Sequence, residues 1–153
     1  MVFAILHMNV RPISTRSKQV LLWLLVGNVV ATIFHYADNV CYFPLYPEPF
    51  WLNASLVDAF WFVMTPLAAL GYWLIRRDYV HRGCLVLYAY AAASLLVLGH
   101  YRYAPFFSIS TRIHLFIMVE AALALALVIY VALIQSGYVR PSRPVPSIAT
   151  QVR

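Results

Sequence analysis

The chain has 153 residues, of which 63% are hydrophobic and only 10% are charged. Because a soluble domain carries about 25% charged residues, most of this single-domain chain cannot face water, and its apolar content also excludes a disordered protein. The net charge of +6 at pH 7 lies in short clusters between long apolar runs. Such a distribution is typical of basic loops that orient a protein in a membrane, and it provides no basic surface for binding nucleic acid.

Four apolar stretches follow one another along the chain, each close to the ~20 residues that a helix needs to cross a bilayer. Their approximate ranges are 20–36, 56–75, 83–100 and 113–135. Prolines, a basic turn and a second proline-containing loop separate them. We therefore predict an all-α, integral membrane four-helix bundle over residues 20–136, with residues 1–19 as a cytoplasmic segment and 137–153 as a disordered cytoplasmic tail.

The basic residues predict the orientation of the bundle, because loops rich in lysine and arginine stay on the cytoplasmic side. One side would hold two of them, Arg102 and Arg112. The other would hold nine: Arg11, Arg16, Lys18, Arg76, Arg77, Arg82, Arg140, Arg143 and Arg153. Both chain ends are therefore expected in the cytoplasm. If the protein is bacterial, the membrane is the cell membrane.

Polar side chains are concentrated at the non-cytoplasmic ends of the spans. Asn28, Thr32, His35 and Asn39 form one stripe on the first helix. Ionisable groups within a membrane cost roughly 2.5–3.5 kcal/mol each at mid-helix, so they tend to face the bundle interior. We predict that one pocket gathers nine residues: His35, Asp38, Asn39, Asp58, Trp61, His100, Tyr101, His114 and Glu120.

Such a pocket would bind a lipophilic small molecule, because ligand sites are mostly apolar with a few placed polar groups. One of the carboxylates of Asp38, Asp58 and Glu120 would engage a polar or cationic head. A set of aromatic rings would enclose the apolar body: Phe34, Phe60, Trp61, Phe62 and Tyr101. Whether the molecule is also transformed stays open; an acid and an imidazole can together relay a proton.

The first half of the chain contains three short motifs: an acid near the end of the first span (Asp38), a Pro-Leu-Tyr-Pro element at 44–47, and an acid followed by a proline in the second span (Asp58 and Pro66). In these motifs the chain resembles the EXPERA family, of the emopamil-binding protein and sigma-2 receptor type. The resemblance implies four transmembrane helices, cytoplasmic ends and an acid-lined lipid pocket.

Two alternatives remain open on the sequence alone. Three histidines, His35, His100 and His114, could supply imidazole ligands to copper, zinc or iron together with a carboxylate, although their spacing matches no metal motif. Alternatively, alanine-rich faces on the third and fourth helices favour close helix contact. The chain would then be a structural or assembly subunit of a membrane complex, or a homo-oligomer. Apart from such a metal, the sequence assigns no cofactor.

Overall fold

A computed structural model describes residues 13–137. The predicted N-terminal segment up to residue 12 and the predicted tail from residue 138 lie outside this range. The long helices are α1 (Thr15–Cys41), α2 (Ala54–Arg76), α3 (Val80–Leu95) and α5 (Thr111–Ser136). A 3-10 turn (Leu96–Gly99) and the short helix α4 (His100–Tyr103) continue α3. The protein is all-α, as the sequence predicts.

Four helices are long and apolar enough to cross a membrane: Thr15–Cys41, Ala54–Arg76, Val80–Tyr103 and Thr111–Ser136. Each begins and ends outside its predicted apolar stretch. The first begins five residues before residue 20, because the side chain of Ser14 caps it by accepting a hydrogen bond from the backbone N–H of Ser17. Backbone hydrogen bonds continue a helix through polar residues, so hydropathy alone places its ends too far inward.

The helices form a ring in which each packs against two neighbours. Helix α1 contacts α2 and α5, and α3 closes the ring by contacting the same two helices. We call the end of the bundle where α1 ends and α5 begins the polar end. There a small apolar cluster joins Tyr46 of the α1–α2 loop to Val97 and Ile113. A larger cluster, which includes Leu21 and Leu127, fills the rest of the bundle.

Helices α2 and α3 approach most closely at two glycines. A Cβ at Gly83 would lie 2.9 Å from the carbonyl oxygen of Gly71, and one at Gly71 would lie 2.5 Å from the side chain of Leu87. The buried residues of α2 are Ala68, Gly71 and Ile75, all in the half that follows Pro66. The half of α2 nearer the polar end has no buried residue, and a space lies between it and the rest of the bundle.

Candidate functional site

The space behind α2 is a cavity of about 750 Å³ at the polar end. Its volume lies within the range of about 300–1,000 Å³ that is typical of small-molecule sites. All four long helices and the α1–α2 loop contribute to its wall, which is mostly apolar. Five of the nine predicted site residues line it: His35, Asn39, Trp61, His100 and Glu120.

A buried pair of ionisable residues joins α1 to α5 at this wall. Nδ1 of His35 lies 2.7 Å from Oε2 of Glu120, and their side chains are only 7% and 9% exposed. The ring of His35 stacks with the rings of Tyr46 and Phe116, whose centres are 5.6 Å and 6.3 Å away. Helical spacing explains the position of His35, because all four residues of the predicted polar stripe on α1 are buried.

A second pair brings the α1–α2 loop onto the helices. Nδ1 of His100 lies 3.2 Å from the carbonyl oxygen of Pro47 and 3.5 Å from Oε1 of Glu48. The same Glu48 oxygen accepts a hydrogen bond of 2.8 Å from the amide nitrogen of Asn39. The ring of His100 is 5.5 Å from that of His35, so the two acid–imidazole pairs are neighbours.

Glu48 is the acidic residue of the cavity wall that the sequence analysis missed. It lies in the proline-rich loop that follows α1, where neither helical spacing nor span depth assigns it a direction. One signal was available: Glu48 is the only acidic residue between α1 and α2, and the prediction of intramembrane acids did not extend to that loop.

Asp38 lies at the rim of the bundle and outside the cavity wall. It accepts a hydrogen bond of 2.7 Å from the hydroxyl of Tyr46 and contacts the guanidinium of Arg112 at 3.4 Å. Arg112 also lies over the ring of Tyr42. Burial, reinforced by the neighbouring Asp38 carboxylate, raises the pKa of the Tyr46 phenol above its usual value. Tyr46 therefore stays protonated and can donate to Asp38, which fixes the loop on α1.

Asp58 likewise supports the wall without being part of it. It accepts a hydrogen bond from the hydroxyl of Tyr36. The ring of Tyr36 is stacked on that of Trp61 at 5.0 Å, and both aromatic residues line the cavity. Asp58 thus links α2 to α1 through an aromatic pair.

His114 and Tyr101 form a separate cluster away from the cavity. The two ring nitrogens of His114 are engaged, Nδ1 by the Tyr101 hydroxyl at 2.9 Å and Nε2 by the carbonyl oxygen of Phe106 at 2.9 Å. His114 therefore does not join His35 and His100. Within residues 13–137, no group of three or more His, Cys, Asp or Glu side chains is placed to hold a metal ion.

The predicted aromatic enclosure is assembled only in part. Phe60 and Trp61 line the cavity. Phe34 and Phe62, by contrast, are 61% and 65% exposed and are not part of its wall. A helix in lipid has apolar residues on its outer face as well, so an aromatic side chain does not reveal which face it occupies.

Three residues of the wall carry a buried polar atom that has no hydrogen-bond partner in the described chain. These atoms are Nε2 of His35, Oδ1 of Asn39 and Nε1 of Trp61. Buried polar groups are normally paired. Asn28, deeper in α1 on the same stripe and outside the wall, also has an unpartnered atom, its amide nitrogen, although its amide oxygen accepts hydrogen bonds from Tyr90 and Ser94.

Comparison with known proteins adds no relative: no family model matches the chain, and no curated protein or solved structure is significantly similar to it. The resemblance to the EXPERA family stays a prediction from short motifs.

Proposed function

We propose that the chain is a multi-pass membrane protein, with both ends in the cytoplasm, that binds a lipophilic small molecule in the cavity at its polar end. The observation that carries this proposal is the cavity itself, about 750 Å³ in volume and mostly apolar. Two acid–imidazole pairs lie at one side of it. A bundle with a purely structural role would be expected to fill such a space with side chains, since protein interiors are normally close-packed.

The distribution of basic residues supports the orientation. In the described chain, Arg16, Lys18 and the arginines of the α2–α3 turn lie at the end opposite the polar end. A contact of 3.1 Å between Lys18 and Asp78 joins the start of α1 to that turn. The polar end, with Arg102 and Arg112, would then face away from the cytoplasm.

The composition of the wall supports a ligand that comes from the bilayer. Leu56, Phe60 and Val63 line the cavity and are also 46%, 43% and 62% exposed on α2. In a membrane those exposed surfaces meet lipid. A lipophilic molecule can therefore reach the cavity sideways, past the half of α2 nearer the polar end.

Filling the cavity tests the proposal. Ala93 of α3 lines the cavity, whereas its neighbour Ala92 is exposed on another face of the same helix. We expect Ala93→Phe to reduce the amount of co-purified lipophilic molecule about tenfold, since an added ring occupies ligand space. Ala92→Phe, the matched control, should leave it unchanged. The measurement is extraction of protein purified in mild detergent, followed by mass spectrometry.

Two results would contradict the proposal. In one, the wild-type protein carries no molecule enriched above that found on an unrelated four-helix membrane protein purified in the same way. In the other, Ala93→Phe retains the molecule at the wild-type level. Stoichiometric recovery of another protein, with no enriched small molecule, would favour the role of a complex subunit.

A further inference from the structure

We propose that the turn between α2 and α3 is a binding surface for anionic phospholipids, whose headgroup phosphates contact the guanidinium groups of Arg76, Arg77 and Arg82. The turn lies at the end of the bundle opposite the cavity. This inference therefore goes beyond the proposed function and does not depend on what the cavity holds. It concerns the headgroup of a membrane lipid, whereas the cavity encloses the apolar body of a small molecule.

The acidic side chains of the chain cannot neutralise this basic turn. The whole sequence contains five of them, and four belong to the polar end: Asp38, Glu48, Asp58 and Glu120. The fifth is Asp78, in the turn itself, and it contacts Lys18 at 3.1 Å. No other side-chain carboxylate is left for the arginines of the turn. Most of the compensating negative charge must therefore come from outside the chain.

The three arginines are exposed and lie close together along the chain. Seven consecutive residues, 76–82, contain all of them, and none takes part in an ion pair with any residue that the structure describes. Asp78 has a left-handed backbone conformation, with φ of 63°, and the chain passes from α2 to α3 in three residues. Arg76, Arg77 and Arg82 are thus confined to one short segment at the end of the bundle.

Two of the guanidinium groups contact aromatic rings of a kind that is typical of membrane interfaces. The guanidinium carbon of Arg77 lies 5.6 Å from the ring centre of Trp73, and that of Arg82 lies 5.7 Å from the ring centre of Tyr79. Both rings are exposed, and tryptophan and tyrosine at the ends of membrane spans lie at the level of the headgroups. A guanidinium held there offers a planar fork of N–H groups that matches the oxygens of a phosphate.

Exposed apolar side chains continue from the arginines along both helices. On α3, Leu85 is exposed and follows Arg82 by three residues, so the two share one face of the helix. On α2, Leu70 and Trp73 are exposed and lead to Arg77 at intervals of three and four residues. A phospholipid can cover both parts of such a surface, with its phosphate on the arginines and its acyl chains on the apolar face. A soluble phosphate can contact the arginines alone.

The number of arginines determines how strongly the turn distinguishes between headgroups. A basic residue near an anionic membrane surface strengthens binding by about fivefold. Three arginines without an ion pair in the described chain can therefore favour an anionic over a zwitterionic headgroup by tenfold or more. Because these charges are exposed, added salt weakens their attraction for an anion.

Two phospholipids with identical acyl chains test the inference: dioleoyl phosphatidylglycerol, which is anionic, and dioleoyl phosphatidylcholine, which is zwitterionic. Each is titrated into the full-length protein in a nonionic detergent, and native mass spectrometry measures the bound fraction. We expect the wild type to bind phosphatidylglycerol about tenfold more tightly, and this preference to decline as salt is added. Equal affinity of the wild type for the two lipids would overturn the inference.

Variants of opposite sign assign the preference to the turn. The triple change of Arg76, Arg77 and Arg82 to Gln should reduce the preference to about twofold or less. Arg102→Gln removes the same charge from an exposed residue at the polar end and should leave it unchanged. Asp78→Asn removes the acid of the turn and releases its partner lysine, while asparagine tolerates the left-handed conformation. It should raise the preference about threefold, a gain that misfolding cannot produce.

Further outcomes distinguish the lipid from a soluble anion and the turn from the cavity. A hundredfold excess of glycerol phosphate should not displace phosphatidylglycerol; displacement would assign the surface to a soluble phosphate and overturn the inference. The preference should persist in Ala93→Phe, and its loss there would place the anionic lipid in the cavity. A preference retained by the triple variant, or not raised by Asp78→Asn, would also overturn the inference. Absence of a co-purified lipophilic molecule would contradict the proposed function alone.

Discussion

Glu120 and His35 are both more than nine-tenths buried, and each is the other's hydrogen-bond partner. Removing one member of such a pair leaves the second buried without compensation. We expect Glu120→Ala to lower the free energy of unfolding by about 3 kcal/mol. Glu120→Gln keeps a side chain that can hydrogen-bond to Nδ1 of His35, so we expect a loss of about 1 kcal/mol. Unfolding by SDS in mixed micelles, followed by tryptophan fluorescence, measures both.

The informative quantity is the difference in the free energy of unfolding between Glu120→Ala and Glu120→Gln. Most of the loss in Glu120→Ala is assigned to the orphaned imidazole, so the double variant His35→Leu with Glu120→Ala should be more stable than Glu120→Ala alone. A double variant that loses the sum of the two single effects would show that His35 and Glu120 do not interact in the folded protein.

At the scale of elements, the contact between α2 and α3 depends on Gly83. A Cβ there would lie 2.5 Å from the side chain of Ile75 and 2.9 Å from the backbone oxygen of Gly71. Because a backbone oxygen cannot rotate away, the helices must separate. We expect Gly83→Ala to lower the free energy of unfolding by about 1–3 kcal/mol and the thermal transition of the detergent-solubilised protein to fall accordingly.

The matched control is Gly27→Ala on α1, where the added Cβ would lie 3.8 Å from the nearest side chain, that of Leu123. Alanine is the better helix former by about 1 kcal/mol, so this variant should be as stable as the wild type or more so. Similar destabilisation by both substitutions would mean that the two helices do not cross closely at Gly83.

Helices α1 and α5 differ in how far their sequences predict which face is buried. Helix α1 carries a polar stripe, and the spacing of Asn28, Thr32, His35 and Asn39 identified its buried face correctly. The sequence of helix α5 does not identify its buried face. Lipid and protein core are both apolar, so the outward face of this helix is as hydrophobic as its inward face. Glu120 faces inward there, whereas His114 joins Tyr101 and Phe106.

The cavity itself was less accessible to prediction than the helices around it. Its wall combines residues of all four long helices and of the α1–α2 loop, which come together only in the folded chain. Its polar wall is completed by Glu48 from the loop, whose path follows no helical period. The residue types therefore predicted where the polar end lies. Which acid pairs with which histidine could be seen only in the three-dimensional structure.

At the scale of the whole molecule, the proposed orientation of the bundle rests on nine basic residues against two, and a native cysteine allows it to be tested. Cys41 is exposed at the polar end, and Cys84 is fully buried near the opposite end. We expect a membrane-impermeant maleimide to label the wild-type protein at Cys41 in intact cells. In a Cys41→Ser background, Arg77→Cys places an exposed thiol in the α2–α3 turn, and we expect its labelling only after permeabilisation. The reverse pattern would show that the bundle is inverted. Labelling of both sites from one side would show that α2 does not cross the membrane, because Cys41 and residue 77 flank that single helix.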